Sequence, residues 1–460
     1  MKFEIEFDAI AAISTSPGVG AISIVRLSGA DALKIADRIF KARIKPSSMK
    51  SHTIRFGSVI SDQETIVDQV LLTVMRAPST FTGEDTVEIN CHGGQVAARL
   101  ILKNLIHNGA RAAEPGEFTK RAFLNGKLDL TQAEAIDDLI HARTDSAGLL
   151  AVKQLAGHLS KYVHNLRQGL LEIASRIELA IDFSEEELDP YNPEQIISLL
   201  TETKRAIQLI IGNIERGRII KEGASVVICG KENVGKSSIF NALLTKKRAI
   251  VSSIPGTTRD VIEDSVNISG VPLRLFDAAG IRQNTDNEIE DEGISRSRRA
   301  VQEADLVLFV LDQSQNIDRE ERELYQYVKG YPHMVVCNKI DLISSGAHVL
   351  PIEPDVVFVS VSALTGQGID DLTQAIAQWI ARNDPHFFDR AIAGNFRQET
   401  CLQQALESIR LSICSLREGN PPELAAVDVQ AAIRSLGEVI GVVSHEDVLN
   451  SIFEKFCIGK

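Results

Sequence analysis

GKENVGKSS, Gly230 to Ser238, is the stretch on which the fold of this chain turns. It follows SVVICG, an apolar run that reads as a buried strand, and it opens KSSIFNALL, which reads as a helix. Strand, glycine-rich loop and helix in that order are the setting that the G-x-x-x-x-G-K-[ST] pattern requires. A chance match somewhere in 460 residues has odds on the order of a per cent or two. The glycines let backbone N–H groups cradle phosphate oxygens, Lys236 reaches the β and γ phosphates, and the Ser237 hydroxyl ligates magnesium. Asn233, Val234, Gly235, Lys236, Ser237 and Ser238 are thus expected to hold a nucleotide triphosphate, with Lys236 also acting in catalysis.

Outward from this loop the chain keeps alternating. A hairpin across Ser269 and Gly270 precedes ADLVLFVLD, HMVVCNKID and VVFVSVSA, and IDDLTQAIAQWI closes the series as a helix. That alternation predicts a mostly parallel sheet with helices on both faces over residues 219–383. The base follows from NKID, Asn338, Lys339, Ile340 and Asp341, at the end of a strand. A carboxylate there accepts from the N1–H and amino group of guanine, a pair that adenine lacks. Alone, NKID would read as a helix-capping aspartate. The order P-loop, GTTRD, DAAG, NKID, SAL makes it a GTPase of the translation-factor-related class. The expected GTP set therefore extends to Ser252, Ser253, Ile254, Pro255, Gly256, Thr257 and Thr258, to Asp277, Ala278, Ala279 and Gly280, and to Ser362, Ala363 and Leu364. Thr258 is read as the second magnesium ligand and Asp277 as the metal-facing acid. Ile281 follows DAAG, so the glutamine that positions water in Ras-like proteins is missing. The next loop, IRQNTDNEIEDEG, offers several carboxylates instead.

At 460 residues the chain exceeds what one hydrophobic core organises. Hydrophobic residues at 44% and charged residues at 24% are those of an ordinary globular protein. The net charge of −13 argues against a general nucleic-acid coat. The opening MKFEIEFDAI is unlike a signal peptide, and no apolar run is long enough for a bilayer, so a cytoplasmic protein without a membrane partner is expected. Six scattered cysteines form no C-x-x-C pair, and Cys229 and Cys337 fall inside strand patterns as small core residues. Residues 1–120 mix AISIVRLSG, VDQVLLTVM and DTVEIN with a helical stretch at 94–108, which predicts an α+β domain. Residues 121–218 read as helical: Thr131 and Glu134 give a capping-box signature before one long amphipathic run, and SEEELDPYNP ends it. Residues 384–460 are helical again, so the α/β unit is expected to be inserted into one helical domain.

Three further stretches carry a resemblance. EPGEFTKRAFLNGKLDLTQAEAIDDLI at 114–140, TGEDTVEINCHGG at 82–94 and the terminal CIGK, together with the GTPase motifs, resemble the MnmE (TrmE) family of tRNA-modification GTPases from end to end. The resemblance implies an N-terminal folate-binding and dimerisation domain, a helical domain interrupted by the P-loop GTPase domain, and a homodimer. It also implies a flavoprotein partner, MnmG (GidA), in a heterotetramer that puts a carboxymethylaminomethyl-type group on carbon 5 of the tRNA wobble uridine. Potassium is implied at Asn233, Ser252, Ile254 and Thr257, where it stands in for an arginine finger. Glu290 matches the water-activating glutamate, although one extra residue separates it from DAAG and DAAG itself replaces DTAG; Glu288 and Glu292 are its neighbours. Binding of 5-formyl- or 5,10-methylene-tetrahydrofolate maps onto Arg26, Glu88, Lys127 and Lys460. A pterin edge suits a carboxylate and the folate tail suits cations.

A regulatory GTPase that binds RNA during ribosome assembly is the alternative, but it calls for an appended basic or G-x-x-G module that the C-terminal part lacks. CIGK, Cys457 to Lys460, is a poor prenylation box. It is expected to lie in the folate site, carried there by a helix of about three turns that begins at a Ser444 to Asp447 cap and ends near Phe456.

Overall fold

The computed structural model describes residues 8–182, 192–247, 265–277, 300–342, 356–382, 384–443 and 446–460. Contacts divide the chain into two compact units, one of Met1–Asp137, Leu155–Ile197 and Glu407–Lys460, the other of Asp138–Gln154 and Ser198–Leu406. The second unit takes in helical stretches on both sides of residues 219–383.

The first unit is built on β1 (Ile10–Ile13), β2 (Ile22–Ser28), α1 (Ala32–Ile39), β3 (Phe40–Lys41), β4 (Thr53–Ile60), β5 (Ile66–Met75), β6 (Thr86–His92), α2 (Gln95–His107), β7 (Arg111–Ala112) and α3 (Glu117–Leu124). Its seven strands run β3-β4-β5-β6-β2-β1-β7, antiparallel apart from the β1–β7 pair. The alternation read in VDQVLLTVM and DTVEIN sends Val70, Leu72 and Val74 and Val87, Ile89 and Cys91 to one face, where Leu33 and Ile35 of α1 and Ile101 and Leu105 of α2 cover them. A one-residue slip would move each of those side chains to the other face, so this core fixes the register that sets Arg26 opposite Glu88.

The helical part departs from the reading of one long run. It is α4 (Leu130–His141), α5 (Asp145–Leu155) and α6 (His158–Asp182), followed by α7 (Pro193–Glu222). The break before α6 falls at Gly157, whose φ is +83°. Thr131 and Glu134 do not cap α4. Both are buried within it, and the reciprocal cap belongs to Asp129 and Gln132: Asp129 N donates to Gln132 Oε1 and Gln132 N to Asp129 Oδ1, each at 3.0 Å. The S/T-x-x-E pattern lies two residues beyond the true cap, because Asp129 and Gln132 make the same motif with different side chains. Asn192 caps α7 by accepting from Glu194 N and Gln195 N.

The second unit holds β8 (Ala224–Cys229), α8 (Lys236–Lys247), β9 (Ser265–Ile268), β10 (Val271–Asp277), β11 (Leu306–Asp312), α9 (Arg319–Val328), β12 (His333–Asn338), β13 (Phe358–Ser360), α10 (Ile369–Ile380) and α11 (Phe387–Arg390); α12 (Phe396–Arg417) leads out of it. Six strands run β13-β12-β11-β8-β10-β9, parallel except for the β9–β10 hairpin. Ser269 and Gly270 turn that hairpin with φ of +53° and +88°. Every residue of β8 is buried. Val226, Ile228, Leu308 and Val336 pack under α8 and α10, while Val227, Phe309 and Val335 pack on the other side against Tyr325 and Val328 of α9. Coverage of both faces is why these strands read as unbroken apolar runs. Burial pushes the Cys337 thiol up to about 12, and Cys229 rises for the same reason, which suits inert core residues.

The chain ends with α13 (Pro422–Ile440), which packs along α6 in the first unit, and α14 (Glu446–Phe453). The last helix ends at Phe453, three residues before the expected end near Phe456. Ser444 lies outside the described residues, so its capping role is not described. Leu449, Phe453 and Phe456 nonetheless bury themselves against Leu130, Ala133 and Ile136 of α4. Burial of such a side chain is worth roughly 1.5–3 kcal/mol. That anchoring holds the terminal residues in place.

Candidate nucleotide and tail-docking sites

The loop between β8 and α8 lies at the carboxyl end of the parallel strands, where open α/β sheets bind ligands. Asn233 has φ of +62° and Gly235 of +95°, so the loop ahead of α8 alternates in hand, the backbone pattern of anion-binding nests. Lys236 is 8% exposed, and its Nζ donates to Lys231 O at 2.7 Å. A buried ammonium held by a carbonyl on the rim of the cradle is placed to pass to a phosphate oxygen. Ser237 and Ser238 are exposed on the first turn of α8.

Asn338 braces this loop. Its Nδ2 donates to Val234 O at 2.9 Å, and its Oδ1 accepts from Ala363 N at 3.0 Å, which ties the P-loop, NKID and SAL stretches into one frame. A Cβ on Gly235 would come within 2.2 Å of Asn338 Nδ2, so glycine is required there for approach as well as for hand. Lys339 donates to Asp312 Oδ2 at 2.7 Å. Burial pushes the Asp312 carboxyl up, but hydrogen bonds from Lys339 and Ser314 outweigh it and hold the group below its ordinary value. Asp341 sits exposed in a 3₁₀ turn, Ile340–Leu342, whose start is fixed by Ile340 N donating to Val361 O at 3.3 Å. Ser362 is fully buried and accepts from Thr365 N, and Leu364 is exposed beside it.

A second cluster lies in the first unit. Arg26 on β2 and Glu88 on β6 are cross-strand partners, with Arg26 Nε 2.9 Å and Nη2 2.8 Å from Glu88 Oε1. Both bonds go to one oxygen; among the described residues Glu88 Oε2 receives none. The guanidinium lies 5.9 Å from the ring centre of Phe81 and 5.6 Å from that of Phe118. The end of the chain docks here. Ser14 Oγ donates to Gly459 O at 3.0 Å, Arg26 Nη1 donates to the same oxygen at 3.4 Å, and Ile458 bridges Pro115 in antiparallel fashion. The tail is therefore docked rather than frayed, with Cys457 left exposed.

The model of the GTP-binding protein TrmE N-terminus matches residues 9–127, and that of the MnmE helical domain matches residues 130–457. The chain belongs to the MnmE (TrmE) family of tRNA-modification GTPases. The tRNA modification GTPase MnmE of Listeria welshimeri is 42% identical over 458 residues, covering 99% of this chain and 100% of that protein. That of Geobacillus kaustophilus is 43% identical over 463 residues, with coverage of 99% and 100%. That of Ligilactobacillus salivarius is 42% identical over 459 residues, with coverage of 99% and 98%.

In this MnmE-family chain the structure brings Asn233, Val234, Gly235, Lys236, Asn338 and Ala363 into one frame, with Asp341 at its rim. Asp277 ends β10. Ser252, Ser253, Ile254, Pro255, Gly256, Thr257, Thr258, Ala278, Ala279, Gly280 and Glu290 lie outside the described residues. Arg26, Glu88 and the tail meet. Lys127 stands apart from that pair: its Nζ donates to Pro78 O at 3.0 Å and its stem passes Gly83, so it touches the loop that carries Phe81. Lys460 is half-buried, with its N–H donating to Cys457 O. Sequence reading missed Phe81, Phe118 and Ser14. Signals existed for the first two, since Phe81 immediately precedes the quoted TGED and Phe118 lies within the quoted EPGEFTKRAF.

Proposed function

We propose that this MnmE-family protein is a potassium-activated GTPase that, with the flavoprotein MnmG (GidA), installs an aminomethyl-type group on carbon 5 of the tRNA wobble uridine, using a folate one-carbon unit. The observation that carries the folate part is the Arg26–Glu88 pair beneath the docked tail. Arg26 orients the Glu88 carboxylate through one oxygen and leaves the other to accept from the amide and amino edge of a pterin, flanked by the Phe81 and Phe118 rings. In this reading Lys460 and Lys127 supply cations for the carboxylates of the folate tail, and either 5-formyl- or 5,10-methylene-tetrahydrofolate fits that chemistry. The domains follow as 1–120 for folate binding and homodimer formation, 121–218 and 384–460 as the helical domain, and 219–383 as the GTPase.

In the nucleotide site, Ser237 and Thr258 would hold magnesium, with Asp277 behind them. Potassium would take oxygen ligands from Asn233, Ser252, Ile254 and Thr257, which suit a hard cation. These ions supply charge compensation on the phosphates during hydrolysis. Asn233 is exposed on the P-loop, which supports the potassium assignment. Glu290 would orient the attacking water, and Asp341 would read guanine. Mass spectrometry of wobble-uridine nucleosides from a strain lacking this gene tests the whole: the carbon-5 aminomethyl-type nucleosides should disappear and return on complementation. Unchanged nucleosides alongside a defect in ribosomal subunits would overturn it in favour of a ribosome-assembly GTPase.

A further inference from the structure

The two motifs that flank the tail-docking cluster, TGED and GEFTKRAF, contain charged residues that touch neither GTP motifs nor the Arg26–Glu88 pair. Arg121 of α3 is 4% exposed, yet its guanidinium donates to Asp8 O at 2.8 Å, Asp8 Oδ1 at 2.6 Å, Glu117 Oε1 at 2.9 Å, and Glu84 Oε1 and Oε2 at 3.2 and 3.4 Å. Glu84 also accepts from Ser28 Oγ at 2.9 Å, and Ser28 Oγ meets the buried Thr82 hydroxyl at 2.7 Å. Asn125, at the C-terminus of α3, donates to Thr82 O at 2.7 Å. The segment from Thr82 to Glu84 is thus clamped at both ends by α3, and Phe81 is the residue immediately before it. The same helix contributes Phe118, the second ring beside Arg26. Only a planar fork with five N–H donors serves three carboxylates and a carbonyl at once; a lysine ammonium has three donors and no fixed plane.

We propose that Arg121 is a positioning residue for the Arg26 site: through Glu84 it fixes the 80–85 loop, and so holds the Phe81 ring against the Arg26 guanidinium. It acts on ligand binding there without touching the ligand. The chemical identity of that ligand, a reduced folate, rests on the function proposed above; the clamp itself does not. Loss of the clamp frees the loop, unstacks Phe81, and leaves Arg26 with Glu88 and Gly459 O as partners but no fixed plane between two rings.

The test uses the full chain with Arg121→Lys and, because Asp8 and Glu117 would also lose partners in that variant, a second variant, Glu84→Gln, which keeps an acceptor for Ser28 but loses its charge. Hydrogen exchange of peptides covering 79–88 should become about tenfold faster in both, with α6 and α13 unchanged as the fold control. Titration with 5-formyl-tetrahydrofolate should show affinity lowered about tenfold, the lower end of what metal ligands lose with the partners that orient them. GTP hydrolysis should be unchanged. Because the two residues act through one contact, the double variant should weaken binding no more than the single ones. Exchange of 79–88 that stays at the wild-type rate in Glu84→Gln overturns the clamp. If the wild-type chain binds no folate, the folate reading falls and the exchange result alone decides the clamp.

Discussion

Replacing Gly459 with alanine should release the tail. Gly459 has φ of +95°, a region costing an L-residue about 1–2 kcal/mol. A Cβ there would lie 2.5 Å from Ile13 O and 2.9 Å from Ser14 Cα. Both are backbone atoms of β1 and its end, held in a strand, so neither gives way as a flexible side chain would. Against this stand the contacts that dock the tail: the Ser14 Oγ bond at 3.0 Å, the longer Arg26 bond at 3.4 Å, and Gly116 N donating to Cys457 O at 3.5 Å. At about 1 kcal/mol for a good hydrogen bond and less for long ones, they total roughly 2 kcal/mol. Strain plus overlap equals or exceeds that sum, so the docked population should fall by about tenfold or more, 1.4 kcal/mol being one factor of ten. Unfolding should scarcely shift, because Leu449, Phe453 and Phe456 keep their core contacts. The assay is removal of Lys460 by a basic carboxypeptidase, followed by intact mass. Gly459→Ala should lose Lys460 about tenfold faster than wild type, and folate affinity should fall in step. Equal rates of release would refute the reasoning, since they would mean that the tail accommodates the Cβ or was never closed.

Asp341→Asn should weaken GTP binding strongly and shift preference toward xanthosine triphosphate, whose extra carbonyl faces the new amide; a titration that shows unchanged GTP affinity removes the assignment. Hydrolysis should be much faster in potassium than in sodium at equal ionic strength, with Asn233→Ala erasing most of the difference and Glu290→Ala keeping nucleotide binding while losing turnover. Steady-state rates in the two salts check the first part, and normal turnover in Glu290→Ala would pass the role to Glu288 or Glu292. Acid should weaken the first unit in a defined window. Burial raises the Glu117 and Asp8 carboxyls, but hydrogen bonds and charge from Arg111 and Arg121 outweigh it and hold both below their ordinary values of 4.5 and 3.8. A depressed folded pKa gives stability that is present above the ordinary value and is lost as pH falls through the folded one. Thermal midpoints should therefore drop below about pH 4.5, and the drop should be shallower in Glu117→Gln; identical acid limbs in the two proteins would contradict this.

The nucleotide half of the molecule was legible from residues in line. GKENVGKSS between an apolar run and a helix, the Ser269–Gly270 turn and unbroken runs such as LVLFVLD report local hand and two-sided burial, and these are properties of neighbouring residues. The strands holding Arg26 and Glu88 were legible for the same reason, since alternation names the buried face. Periodicity does not say where a long amphipathic helix pattern breaks, so it predicts one run where α4, α5 and α6 stand, and the Thr131–Glu134 signature lies two residues from the cap that Asp129 and Gln132 form. Nor does it say what a loop residue touches. Asn338 spans the P-loop and the SAL stretch from a position 104 residues beyond Val234, and Ser14 meets Gly459 across 445 positions. Arg121 looks like a solvated helix charge until Asp8, Glu84 and Glu117 close around it. The pairing of such groups depends on which elements pack together, and packing is settled by the summed burial of whole faces. The sequence thus determined the GTPase and the face of the sheet that carries Arg26, while the tertiary structure decided that the last residues of the chain complete that face.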